Sequence, residues 1–339
     1  MQIAPWIHDG LNEILRRRGK EILPSERVYD WQRVDCQRPV FQRMELPLDA
    51  SFALRADHPK LQELHTRYQA CNPAVTTPLI WRDGHLRPED IPFFRGDNAY
   101  VWQVRNGNFN IMGYALAYYY ARAMDHRGLP DELFEDEAFG NFTFEIGDRR
   151  VSRDLLDSVV ELYFLDRHLQ VFDRKDLTVL DIGAGYGRLA YRAASALPGL
   201  KNYFCTDAVA FSTFLSDFYL RHRRVHPRAQ AVALDEIEAK LETVKPDLAV
   251  NIHSFSECRV EAIDWWVRLL ARTGVRHLMI APNTTNCGGE RLQTNDLQDF
   301  SGILTKYGYQ QVAREPKYRD PVVQQYAISP TWHFLFELA

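Results

Sequence analysis

The chain has 339 residues, 46% hydrophobic and 25% charged, with 41 basic against 45 acidic side chains and a net charge of −4. This is ordinary globular composition, long enough for about two domains and a large core, and it excludes a disordered tail protein. It also argues against a grip on nucleic acid built on net charge. No apolar run is long enough to span a bilayer, and the opening MQIAPWIHDG lacks the basic and apolar regions of a signal peptide. The five cysteines (Cys36, Cys71, Cys205, Cys258 and Cys287) form no C-x-x-C pair, which disfavours a disulfide framework or structural zinc. The expectation is a soluble cytoplasmic protein without a membrane or nucleic-acid partner; a homo-oligomer is compatible with it.

In chain order, residues 9–18 and 59–69 read as short helices and 108–127 as a buried helix ended by Gly128. FTFEIGDRR (142–150) reads as a strand and turn. SRDLLDSVVELYFLDRHL (152–169) is a strong helix, with Ser152 as N-cap and apolar positions 155, 156, 159, 162 and 165 on one stripe. From here strands and helices alternate regularly. The strands are 177–183, 202–207, 229–235, 247–253 and 275–283; the helices are 188–197, 209–222, a short charged one before Pro246, 260–271 and 297–307. Residues 309–314 and 332–338 supply two last strands, the final one antiparallel because the loop between them lacks helical periodicity. Short apolar strands alternating with helices predict an α/β, doubly wound, mostly parallel seven-stranded sheet. The change of character near residue 150 predicts two regions: 1–150, a mainly helical cap, and 151–339, a regular α/β domain.

The sharpest motif is VLDIGAGYGRLA (179–190). A strand ends at Asp181, a glycine turn follows, and a helix opens with free N–H groups. Dinucleotide sites want G-x-G-x-x-G, but Arg188 stands where the third glycine belongs and Gly187 gives G-x-G-x-G instead. A carboxylate at Asp181 would repel a pyrophosphate and suits a ligand bearing an ammonium group, such as S-adenosylmethionine; a tight turn without a ligand is the bland alternative. Asp207, 20 residues beyond Gly187, could accept both ribose hydroxyls or merely cap the next helix. Leu234 and Asp235 could meet an adenine ring and its amine.

NIHSFSEC (251–258) closes the fourth strand, where open α/β sheets bind ligands. Asn251, His253, Ser254 and Glu257 would face the methyl donor. His253 is the first candidate base and Glu257 the second, or the group that orients His253. A hydrogen-bonded structural histidine is an equal reading of His253. His222 and His226 are spaced for a metal but sit in an Arg-rich helix end, where cations are ordinary, and nothing in the spacing argues for magnesium on Asp207, Glu257 and Asn283; no metal is expected. Trp81, Phe93, Phe94, Tyr100, Trp102 and Tyr114 could line a substrate pocket or form core. The loop FFRGDNAYVWQ (93–103) mixes such rings with Arg95, Asp97 and Asn98, a mixture suited to a polar, ring-shaped substrate.

The segments SRDLLDSVVELYFL, VLDIGAGYGRLA, FLSDFYLRHR, DLAVNIHSFSEC, MIAPN and KYRDP, with the upstream FFRGDNAYVWQ, resemble class I S-adenosylmethionine-dependent methyltransferases. More narrowly, the chain is similar to the sugar O-methyltransferase family of natural-product and glycan gene clusters, over roughly residues 90–339. The resemblance implies donor binding by Asp181, Gly183, Gly185 and Asp207, and methylation of a sugar hydroxyl. Ala184, Tyr186 and Gly187 complete the expected turn, and Arg153 is expected at the donor carboxylate. The expected partner is a small-molecule acceptor, a sugar or glycoside. A non-sugar acceptor such as a polyketide hydroxyl or an amine, an NAD-dependent oxidoreductase, and an inactive donor-binding scaffold are the alternatives.

Overall fold

The computed structural model describes residues 11, 13–15, 17–18, 46–82, 84–101, 111–147, 149–284 and 287–339. Trp102, the start of the helix expected at 108–127, and parts of the one expected at 9–18 lie outside them.

The helices before the sheet are α1 (Leu48–Ala53), α2 (Pro59–Gln69), α3 (Pro73–Thr76), α4 (Ile111–Met124) and α5 (Leu129–Glu132), followed by the hairpin β1 (Phe144–Ile146) and β2 (Arg149–Val151). Next come α6 (Arg153–Leu169), β3 (Leu177–Ile182), α7 (Arg188–Ala196), β4 (Leu200–Thr206), α8 (Ala210–His222) and β5 (Ala229–Ala231). The chain finishes with α9 (Ile237–Thr243), β6 (Leu248–Ile252), α10 (Ser254–Glu257), α11 (Val260–Thr273), β7 (His277–Ala281), α12 (Ser301–Lys306), β8 (Tyr309–Pro316), α13 (Pro321–Tyr326) and β9 (Trp332–Leu338).

The sheet runs β5-β4-β3-β6-β7-β9-β8, with β9 antiparallel to both neighbours and the other pairs parallel. This is the doubly wound, mostly parallel seven-stranded sheet expected from the alternation of elements. Every residue of β3 is buried, as a central strand covered on both faces requires. Asp181 pairs with Cys205 of β4 on one side and Val250 of β6 on the other. Strand order reverses at β3, so a crevice opens beyond the carboxyl ends of β3, β4 and β6.

Three local expectations change. The third strand stops at Ala231, because residues 234–236 turn into a 3-10 helix. The helix expected over 297–307 covers only Ser301–Lys306; Leu297 is exposed in the left-handed region. The loop before β9 contains α13, capped by the Asp320 carboxylate, which accepts from the N–H groups of Val322 and Val323. Proline at its first turn and the Asx cap start a helix too short to show periodicity.

Helix α6 is buried along most of its length, on its acidic face as well as its apolar one. Ser152 Oγ accepts from Leu155 N–H as its N-cap. Asp154, Asp157 and Glu161, three and four residues apart, line up on one face. Each takes a cation from a different part of the chain. Arg95 Nε donates to Asp154 at 3.1 Å, Lys317 Nζ to Asp157 at 2.5 Å, and Arg188 holds Glu161 with two 2.9 Å bonds. Arg95, fully buried, also reaches Glu135 and Asp136, both at 2.7 Å, and these in turn hold Arg192 and Arg223. Burial pushes the Glu135 carboxyl up, but Arg192 and Arg95 outweigh it and hold it below its ordinary value.

Removing one member of such a cluster strands the opposite charges in the interior. Arg95→Met is expected to cost about 3–5 kcal/mol in denaturant unfolding. An unchanged midpoint would show that the cluster does not hold the fold.

Candidate active site

A cavity of about 1120 Å³ fills the crevice at the strand ends and is roofed by residues 75–82 and 84–86 and by α2. Arg153, Asp181, Gly183, Ala184, Gly185, Tyr186, Asp207, His253, Ser254 and Glu257 all line it. Most of its floor is therefore made of residues expected from the strand ends, the glycine turn and the family resemblance. Gly187, Leu234, Asp235 and Asn251 do not line it.

Each of those four has another task. Gly187 lets α7 approach α8: a Cβ there would lie 3.0 Å from Ser216 Oγ and 3.4 Å from Leu220. Asn251 is fully buried; its Nδ2 donates to Ile182 O and its Oδ1 accepts from Phe255 N–H, both at 2.8 Å. It thereby ties the end of β3 to the start of α10. Leu234 is core, and its N–H donates to Tyr68 OH. Asp235 is held by Arg67, whose Nε and Nη2 each donate at 2.8 Å. A cation on α2 has taken the carboxylate that the spacing alone assigns to a base amine.

The three glycines of the turn all lie in the left-handed region, but for different reasons. At Gly183 the obstacle is protein: a Cβ would fall 2.0 Å from Ser254 Oγ. At Gly185, φ +56°, the nearest obstacle to a Cβ is a ring carbon of Tyr100 at 3.4 Å, an ordinary contact. Packing does not demand glycine there; the backbone conformation and close access from the cavity do.

Asp207 accepts from Gly185 N–H at 3.0 Å and Val209 N–H at 2.8 Å, one bond to each oxygen. Burial nevertheless pushes its carboxyl up to about 6. Asp181 accepts from Tyr203 OH at 3.0 Å, and burial pushes it up to about 7 against the lowering effect of that bond and of Arg188. Burial is the main cause of both shifts.

His253 sits at φ 70°, ψ −31°, a left-handed position unusual for a non-glycine residue. Its N–H donates to Ala281 O at 2.7 Å. Burial and the cations Arg153, Arg188 and Lys317 push the imidazole down to about 3, with Asp157 opposing. Glu257 goes the other way: burial lifts it to about 7, against hydrogen bonds from Trp81 and Asn283. Arg153 Nε donates to Asp157 at 3.2 Å, which sets its place on the cavity wall.

Of the aromatic candidates, Trp81 and Tyr100 line the cavity. Phe94 and Tyr114 are core, Phe94 stacking on Phe139 at 4.7 Å. Arg95 and Asn98 of the same loop are buried structural residues: Asn98 Nδ2 donates to Phe93 O and its Oδ1 accepts from Tyr100 N–H. Sequence reasoning missed Phe211, Asn295 and Ser329, which also line the cavity and belong to no motif. Among the described residues no cluster of three or more His, Cys, Asp or Glu could hold a metal, and no helix is long and apolar enough to cross a membrane.

No protein-family model matches the chain, and no curated protein matches it. Among solved structures it is similar to the cyclase SpnF, at 14% identity over 67% of this chain and 94% of that one, TM-score 0.39. It is similar to magnesium protoporphyrin IX methyltransferase (ChlM) from Synechocystis PCC 6803, at 14% over 57% and 87%, TM-score 0.38. It is also similar to the mitomycin 7-O-methyltransferase MmcR, at 18% over 55% and 56%, TM-score 0.38. At this identity and score these likenesses add nothing to what the strand order already says.

The raised Asp181 gives a signed expectation. Its folded value of about 7 lies above the ordinary carboxyl value of 3.8, so the native state binds the extra proton and its stability falls as pH rises toward 7. Asp181→Asn removes that term while keeping an acceptor for Tyr203. Its stability relative to the unsubstituted protein should therefore improve by about 2–3 kcal/mol between pH 5 and pH 8. Paired urea titrations at the two pH values measure it; a pH-independent difference would refute the burial argument.

Proposed function

We propose that the chain is an S-adenosylmethionine-dependent O-methyltransferase acting on a hydroxyl of a sugar or glycoside. One observation carries the donor reading: the turn from Gly183 to Gly185 meets two cation-poor buried carboxylates, Asp181 and Asp207, at the switch point of the sheet. A ligand with an ammonium and a sulfonium supplies the missing positive charge, whereas a pyrophosphate would meet two like charges. Arg188, which replaces the last glycine of the dinucleotide pattern, is committed to Glu161 and Ser158.

The residues present fit this donor. Asp207 has lone pairs left on both oxygens for two ribose hydroxyls, the turn offers backbone N–H groups and close access at Gly185, and Arg153 suits a carboxylate. When bound, the donor supplies an electrophilic methyl group on a charged sulfur. The chain's own work is to align an acceptor oxygen with that carbon, exclude water and take one proton.

Glu257 takes first place as the proton acceptor, ahead of His253. A carboxyl near 7 is well matched to working pH, while an imidazole near 3 stays neutral but holds a proton poorly. With the donor bound, the acceptor oxygen would form its new bond to the methyl carbon as the carbon–sulfur bond breaks and the sulfur leaves as a neutral thioether, while the hydroxyl proton passes to Glu257, which releases it to solvent afterwards. Of the expected cap over 1–150, the described residues of α2, 75–82, 84–86 and 99–100 carry the acceptor pocket. Trp81 and Tyr100 offer rings, and Glu257, Asn283 and Asn295 offer polar groups, a mixture that suits a polar ring.

Calorimetry with S-adenosylmethionine and with NAD tests the donor. S-adenosylmethionine should bind, and more tightly at pH 8 than at pH 5 because ionised Asp181 and Asp207 favour a cation; NAD binding in its place would overturn the reading. Methyl transfer to a panel of glycosides, aglycones and amines tests the acceptor, with glycosides expected to be methylated. Glu257→Gln should lower turnover about 10²-fold or more while donor affinity holds. Undiminished turnover would remove Glu257 from the mechanism.

A further inference from the structure

We propose that Trp81 is a positioning residue: its indole N–H fixes Glu257 so that one carboxylate oxygen, Oε1, is presented to the acceptor hydroxyl. The inference rests on the reading of Glu257 as proton acceptor and extends it to a residue outside the α/β domain.

Trp81 Nε1 donates to Glu257 Oε2 at 2.6 Å, a short charge-assisted bond between the roof and the floor of the cavity. Among the described residues the other oxygen, Oε1, has only a long 3.4 Å contact from Asn283 Nδ2. One oxygen is thus held and the other left to accept a proton. The indole is itself held in place. Its ring lies 4.9 Å from that of Tyr100, tilted by 42°, and 5.0 Å from that of His85, edge on. Tyr100 OH pairs with Ser212 Oγ at 3.0 Å, on α8, the helix that follows Asp207. Indole, phenol and hydroxyl therefore brace Glu257 from the donor side of the cavity.

A carboxylate on the last residue of a four-residue helix has several rotamers. An unbraced Glu257 would spend part of its time turned away from the cavity. The bond from Trp81 selects one rotamer and also favours the ionised form. The other titratable groups facing Glu257 are Asp207, whose charge opposes ionisation, and Cys258, which burial keeps as a thiol. Neither can hold the carboxylate as a donor of the Trp81 kind does.

The test is Trp81→Phe, which keeps a ring against Tyr100 and deletes the N–H. Turnover of the glycoside methylated by the unsubstituted protein should fall about tenfold, with donor affinity unchanged. The acid limb of the pH–rate profile should move about one pH unit to the alkaline side, because the lost donor had stabilised the carboxylate. A merely structural ring would not move that limb, so an unshifted profile overturns the proposal. A second measurement is independent of turnover and of the variant's folding. The Trp81 indole N–H resonance of the full chain should shift with pH in step with Glu257 ionisation, and the shift should vanish in Glu257→Gln. A resonance indifferent to that substitution also overturns the proposal, whereas absence of methyl transfer in the unsubstituted protein with the coupling intact would count against the proposed reaction alone.

Discussion

The acidic face of α6 is the constraint on which the rest depends. Asp154, Asp157 and Glu161 are buried carboxylates on one helix, and none could be there alone. Each is neutralised by a cation from a distant segment: Arg95 from the region before the sheet, Lys317 from the loop before β9, Arg188 from the helix after the glycine turn. The desolvation cost of the acids is offset only when all three segments are in place. Docking of the Arg95 loop, the helix after the glycine turn and the closing loop becomes a single event, and it sets the floor of the cavity.

The same helix reaches the site through short steps. Tyr186, inside the glycine turn, donates its hydroxyl proton to Asp154, the acid that Arg95 also holds. Arg153 leans on Asp157, which Lys317 grips while also donating to Ile328 O and Ser329 O. Ser329 borders the cavity. Ion-paired charges thus border a chamber whose own carboxylates, Asp181 and Asp207, are raised by burial, and that contrast separates scaffold from binding surface.

Periodicity and turn chemistry made most of the α/β region legible. The alternating apolar runs set the order of elements, and the capped helix over 152–169 appears nearly residue for residue as Arg153–Leu169 behind Ser152. The floor of the site was legible for the same reason, since strand ends and glycine turns are local features. What failed to show was long-range pairing. Nothing near Asp235 announces that Arg67, 168 residues earlier, will take its carboxylate. Nor does the loop around Arg95 reveal that its charges face buried acids and not a ligand. The roof is the extreme case: residues 75–82 and 84–86 carry no periodic pattern, and their place is set by what they touch.

The contact between Gly183 and Ser254 joins two turns that belong to different strands. A methyl group on the first would occupy the space of the hydroxymethyl on the second, and His253 beside it already holds an uncommon backbone conformation. Neither position can drift by itself. In any lineage descended from this chain, a side chain at 183 has to arrive together with glycine at 254, because the Ser254 Cβ itself lies 2.2 Å from that methyl position, so the two sites should vary as a pair across relatives.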